Sequence, residues 1–206
     1  MELNLFNSII WKSKINYDKK YELIEIIKDN YEKNPNQTPK DWKCVVHSTF
    51  KHKNNCIPQD LLELITNKSE EFLSIYEKKL KIDGTYYIKD VWYNAYKGNQ
   101  FQEPHTHGGV LFSGCYYLKF DKSVHHQTTF YNPNFNINYS KLEDNSYFCF
   151  SPDCEEDDVI FFPSSLKHGT QGIKNSSDDM RITVSFNIAN SSVCNKSQNK
   201  NLISYA

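Results

Sequence analysis

The chain reads as mainly β, an antiparallel barrel or jelly roll of short strands with two N-terminal helices buttressing one outer face. Three observations lead there. After Asp83-Gly84, short β-prone runs separated by turn residues follow one another with no helical pattern between them. Before that point, two stretches carry apolar residues at helical spacing. Aromatic residues make up 15 % of the chain, with 14 tyrosines and 13 phenylalanines, which suits a β-rich interior and excludes a disordered chain.

In chain order, residues 1–15 read as an extended arm, with Leu5, Phe6, Ile9, Ile10 and Trp11 available to pack on a sheet. From Tyr17 to Glu32, Leu23, Ile24, Ile27 and Tyr31 define an amphipathic helix that stops at the Asn34-Pro35-Asn36 breaker. The run from Trp42 to Phe50 is β-prone, and Lys51 to Cys56 is a polar turn. A second helix is expected from Pro58 to about Lys81, since proline suits a first turn and Leu61, Leu62, Ile65, Phe72, Ile75, Tyr76 and Leu80 make one apolar stripe. The expected strands then run Tyr86–Lys97, Val110–Phe120, Thr128–Tyr131, Tyr147–Phe150, Val159–Phe162 and Met180–Ile188.

A length of 206 residues accommodates one domain with a substantial core. Its expected bounds are 1–190, with 1–84 as helical support and 85–190 as the jelly-roll core, leaving 191–206 as a polar tail. Lysine and arginine total 24 against 25 aspartates and glutamates, a balance that argues against nucleic acid and anionic membranes as partners. Six cysteines, with no CxxC pair and no regular spacing, read as reduced thiols. The N-terminus lacks the basic start and apolar run of a secretory signal, and no apolar run reaches membrane-spanning length, so the expected location is cytoplasmic.

The chemistry centres on Gln102-Glu-Pro-His-Thr-His-Gly-Gly109. His105 and His107 are two apart, so on a strand they would share a face, and Pro104 before them with Gly108-Gly109 after them shapes the backbone. A first-row metal needs a further ligand, for which His168 is the best candidate. Thirteen residues after it, Arg181 opens a strand in which Arg181, Thr183, Ser185 and Asn187 share one face and Ile182, Val184, Phe186 and Ile188 the other. A polar face turned into a barrel makes sense only around a polar ligand. Arginine is built to grip a carboxylate by two parallel hydrogen bonds. Tyr116 and Tyr117 point to opposite faces of their strand, so one of them should enter the barrel. Other histidines lack such context: His47 and His52 read as structural or surface residues, and His125-His126 as an exposed turn.

Together, Trp92-Tyr-Asn-Ala-Tyr-Lys-Gly98, Pro104-His-Thr-His107, Ser113-Gly-Cys-Tyr-Tyr-Leu118, Phe162-Pro-Ser-Ser-Leu-Lys-His168 and Arg181-Ile-Thr-Val-Ser-Phe-Asn187 resemble the iron(II)- and 2-oxoglutarate-dependent oxygenases related to the prolyl hydroxylases. The likeness covers roughly the last two-thirds of the chain. It implies a double-stranded β-helix, cupin-like in form, that holds Fe(II) by a facial triad and uses 2-oxoglutarate and O2. The triad would be His105, His107 and His168. Arg181 would meet the distal carboxylate of 2-oxoglutarate, with Tyr117, Thr183 or Ser185 adding hydrogen bonds and Tyr96 and Asn94 completing the pocket. Hydroxylation of a small molecule or protein side chain would follow, with succinate and carbon dioxide as coproducts.

The sequence departs from the superfamily at one ligand. The position of His107 is ordinarily a carboxylate; a neutral three-His set leaves the metal more positive and more reliant on its anionic cosubstrate. Alternatively His107 stands behind the ligands, and Glu103, Asp153 or another acid supplies the third donor. Two rival functions remain: a cupin-like three-His dioxygenase or isomerase that uses no 2-oxoglutarate, and a metal-free jelly-roll binding module. Substrate specificity would lie in loops such as Asn132–Asn145, and oligomeric state is not written in the sequence.

Overall fold

A computed structural model of the chain describes residues 8–52, 55–80, 84–133, 148–171, 173–174 and 178–193, with backbone alone for 77–80. Leu5, Phe6, Cys194, the start of the Tyr147 run, most of the Asn132–Asn145 loop and most of the expected tail lie outside the described residues. In chain order come β1 (Trp11–Lys14), α1 (Lys20–Lys33), β2 (His47–Ser48), α2 (Gln59–Leu80), β3 (Tyr86–Tyr96), β4 (Gln102–His105) and β5 (Phe112–Lys119). They are followed by β6 (Thr129–Tyr131), β7 (Cys149–Phe150), β8 (Asp158–Pro163), β9 (His168–Thr170) and β10 (Arg181–Asn190).

Two antiparallel sheets make the jelly roll. The larger runs β1-β8-β5-β10-β3-β2 and the smaller β4-β9-β6-β7. The central strand β10 separates two environments by strict alternation. Ile182, Val184, Phe186 and Ile188 are at most 1 % exposed and join Leu23, Ile27, Leu61, Ile65 and Phe72 of the helices in the main core. Arg181, Thr183 and Asn187, on the other face, are also buried, inside the barrel. Neighbouring β5 divides likewise, with Tyr116 in the helix-side core and Tyr117 in the barrel-side cluster beside Phe120, Phe130 and Phe162.

The helices begin and end close to expectation. Tyr17 precedes α1 instead of opening it, and its hydroxyl donates to Asp60 at the start of α2. The Pro58 carbonyl accepts the Leu62 amide, so proline sits just outside the first turn of α2. Ile75, expected in the buried stripe, is 46 % exposed while Leu73 is buried. At about 100° per residue, Ile75 and Leu73 lie on opposite sides of the Ile65–Phe72–Tyr76 line, and the sheet covers the Leu73 side.

Two local expectations are corrected. The Trp42–Phe50 run yields only two-residue β2 and a single bridge from Val45 to Phe101. The hydroxyl of Thr38 donates to the Val46 carbonyl and accepts the Val46 amide, taking the bonds a longer ladder would need. His125 is fully buried instead of exposed: its Nδ1 accepts the Asp121 amide, and its ring packs beside Phe120. Asp158 opens β8, buried against Lys12 and Lys14 of β1. The described cysteines, Cys44, Cys56, Cys115, Cys149 and Cys154, are free. No described helix is long and apolar enough to cross a membrane.

Two predictions follow from this packing. A Cβ on Gly114 would drive into the Phe186 ring and the Ile160 carbonyl, so Gly114→Ala should destabilise the chain by about 1–3 kcal/mol in urea unfolding. His47, 1 % exposed, donates from Nδ1 to the Asn34 carbonyl and accepts the Tyr93 hydroxyl at Nε2. Burial lowers its pKa, so its contribution to stability is complete above the unfolded-state value near 6.5 and is lost as pH falls. Between pH 7 and 5, His47→Gln should therefore lose less stability than the wild type.

Candidate metal centre

His105 closes β4 and lies directly opposite His168 of β9. That pairing needs Gly169: a side chain there would meet the backbone of Gln102, Glu103 and Pro104, where β4 bulges. His107 lies beyond the end of β4, so strand alternation does not bring it to His105. A turn does. The His107 amide donates to the Ser164 carbonyl at 2.9 Å, and Gly109 follows with φ of +73°. One ligand atom from each of the three rings lies within 4.8 Å of the others, and the Nε2 atoms of His105 and His107 are 3.0 Å apart.

The opposite ring nitrogens decide the tautomers. His105 Nδ1 donates to the Glu103 carbonyl and His168 Nδ1 to the Leu166 carbonyl, both at 2.8 Å. His107 Nδ1 lies 2.7 Å from Asn187 Oδ1 and 2.8 Å from Ser113 Oγ. Asn187 Nδ2 donates to Asp90, which turns Oδ1, an acceptor, toward the imidazole, so His107 carries its proton on Nδ1. All three Nε2 atoms therefore present lone pairs to a common point. Burial pushes each ring's pKa down: His105 is lowered, His107 falls to about 4 with His105 adding to the effect, and His168 falls well below its usual value. Neutral imidazoles with facing lone pairs repel one another unless a cation lies between them. These donors fit a first-row divalent metal.

Neither acid considered as a third donor joins the group. Glu103 accepts from the Lys43 amide and from Gln102, and Asp153 lies on the surface beside Lys122. Among the described residues, the three histidines form the group able to hold an ion.

One cavity is lined by His105, His107 and His168 and also by Arg181, Thr183, Ser185, Asn94 and Tyr96. Arg181 is 2 % exposed. Its Nη2 donates to Thr128 Oγ1 at 3.3 Å, and its Nε is buried without a partner. Tyr96 and Tyr117 stand against the guanidinium, with ring centres 5.0 and 5.5 Å away. Among the described residues no carboxylate pairs with it. Asn94 Oδ1 and Trp92 Nε1 are likewise buried and unpartnered.

Tyr117 is placed differently from the other expected pocket residues. Its hydroxyl donates to Thr128 Oγ1, so Thr128 faces the cavity and Tyr117 supports it from behind. Thr128, read from sequence only as the head of a short strand, stands just before β6, and its place in the pocket comes from contact with the distant Arg181. Cys115, two residues before Tyr117, was available from alternation. Gln102 and Thr170, which also line the cavity, were not, since strand pairing between β4 and β9 brings them there.

Residues 90–187 match the family model described as "Putative 2OG-Fe(II) oxygenase". The matched segment carries His105, His107, His168 and Arg181, and members of the matched family use Fe(II), 2-oxoglutarate and O2. Among solved structures, the collagen prolyl hydroxylase of Paramecium bursaria chlorella virus 1, solved with 2-oxoglutarate, is similar at 16 % identity and a TM-score of 0.56, covering 87 % of this chain and 94 % of that one. A Pseudomonas putida prolyl-4-hydroxylase is similar at 8 % identity and a TM-score of 0.58, with 88 % and 92 % covered. A Trichoplax adhaerens prolyl hydroxylase, solved with a hypoxia-inducible-factor peptide, gives 12 % identity, a TM-score of 0.59 and coverage of 93 % and 87 %. These likenesses establish the shared oxygenase fold, the double-stranded β-helix. Comparison with curated protein sequences yields no match.

Because Gly169 lets β4 and β9 approach, Gly169→Ala should spread His105 from His168. Titration with Co(II) should then show at least tenfold weaker binding than in the wild type.

Proposed function

We propose that this chain is an Fe(II)- and 2-oxoglutarate-dependent dioxygenase that hydroxylates a small molecule or protein side chain, releasing succinate and carbon dioxide. The observation that carries this reading is Arg181, a buried guanidinium without a carboxylate partner among the described residues, in the cavity where three imidazole lone pairs converge. A buried charge held without a counter-ion costs several kcal/mol, a cost that makes sense if an anionic ligand supplies the partner.

In this reading His105, His107 and His168 hold Fe(II), and the bound metal with 2-oxoglutarate supplies the oxidising chemistry. The remaining residues bind and orient. Arg181 takes the distal carboxylate, with Thr128 holding one of its amino groups in place. Thr183 and Ser185 line the same cavity from β10 and offer hydroxyls to the cosubstrate, while Asn94 and Tyr96 line it from β3. Phe162 and Trp92 give it apolar walls that limit water. A cupin that uses no 2-oxoglutarate would gain nothing from the buried guanidinium. A metal-free module would leave three lone pairs opposed at close range.

The test is succinate formation with and without iron, in the wild type and in Arg181→Leu. Loss of a buried charge-assisted pair costs about 2 kcal/mol or more, so KM for 2-oxoglutarate should rise roughly thirtyfold or higher. The ligand-free variant should melt at or above the wild-type temperature, since it no longer buries an unpaired charge. Iron-independent succinate formation, or equal KM values in the two proteins, would overturn the assignment.

A further inference from the structure

The group that replaces the usual carboxylate is tied to an acid one step further out. Asn187 stands opposite Asp90 of β3 and Ser113 of β5 in the strand register, so the three form a polar row across adjacent strands. Asp90 Oδ2 accepts from Asn187 Nδ2 at 3.1 Å, and Asn187 Oδ1 lies 2.7 Å from His107 Nδ1. Ser113 Oγ also donates to Asn187 Oδ1, at 2.8 Å, and lies 2.9 Å from Ser164 Oγ, whose residue holds the His107 amide through its carbonyl. The row begins at a register shift between Asn187 and Ile188, where β10 departs from even pairing with β3.

We propose that Asp90 and Asn187 act as positioning residues that supply His107 with the negative charge a carboxylate ligand would have brought directly. The inference rests on the three-His metal reading. A carboxylate accepting from an amide nitrogen polarises that amide and makes its oxygen a stronger acceptor. The oxygen then draws on the Nδ1 proton, making Nε2 a better donor to a cation. The acid is thus moved outward without leaving the metal centre electrostatically bare. Among the described residues, His105 and His168 have only backbone carbonyls at Nδ1, so His107 alone of the three carries such a link. The geometry also excludes the other tautomer of His107, because the asparagine oxygen cannot donate.

The experiment titrates the full-length protein with Co(II), read by the visible absorption of the bound ion and by competition with a chelator. Asp90→Asn keeps a side chain able to accept from Asn187 but removes the charge, and binding should weaken about tenfold. Asn187→Leu removes the link altogether, and binding should weaken roughly 10- to 100-fold with a shifted absorption band. Combining Asp90→Asn with Asn187→Asp puts a carboxylate directly against His107 Nδ1 and should restore affinity. If Asn187→Leu does not fold, by circular dichroism and melting temperature, Asp90→Asn and the double variant carry the test. Folded variants that bind Co(II) as tightly as the wild type, or a double variant no tighter than Asp90→Asn, would overturn the inference. A wild type that binds no Co(II) would overturn it together with the metal reading. Tight, Asp90-dependent Co(II) binding without 2-oxoglutarate turnover would uphold it and sink the oxygenase assignment alone.

Discussion

An electrostatic demand sits inside the barrel: one buried positive charge and three converging lone pairs that the described protein groups leave unanswered. Arg181 donates to a threonine hydroxyl and meets no carboxylate among the described residues, and His105 and His107 face each other through nitrogens that both accept. Each is unfavourable by itself, and the two demands are of opposite kind. A cation satisfies the imidazoles and an anion satisfies the guanidinium. A metal ion together with a dicarboxylate would answer both demands, the histidines holding the cation and Arg181 the far carboxylate.

The fold creates this demand through one strand. Alternation along β10 sends its even-numbered residues into the core beneath the helices and its odd-numbered residues into the barrel. The aliphatic side anchors the strand with Leu23, Ile27, Leu61 and Ile65, which lets the opposite side remain polar without the sheet coming apart. Helical support and polar interior are two consequences of the same period of two.

Much of this was legible in the residues. The β10 alternation, the opposed directions of Tyr116 and Tyr117, and both helices follow from side-chain periodicity, a local property. What escaped depends on contacts between distant segments. The position of His107 comes from a turn and a bond to Ser164, although the sequence argument placed it by strand alternation. Thr128 faces the cavity from a loop, and β9 is only three residues long, too short for any periodic signal. His125 looked like surface because polar neighbours surround it in sequence, yet its ring folds back to close its own turn.

Arg181 also bears on the life of the chain outside catalysis. A centre whose unmet charges are relieved by what it binds makes ligand occupancy part of folding free energy. The empty form would be the one that opens more often, exposing its strands to proteases and to pairing with other chains. In a cell, the amount of this protein would then track the supply of metal and keto acid, with no dedicated regulator required.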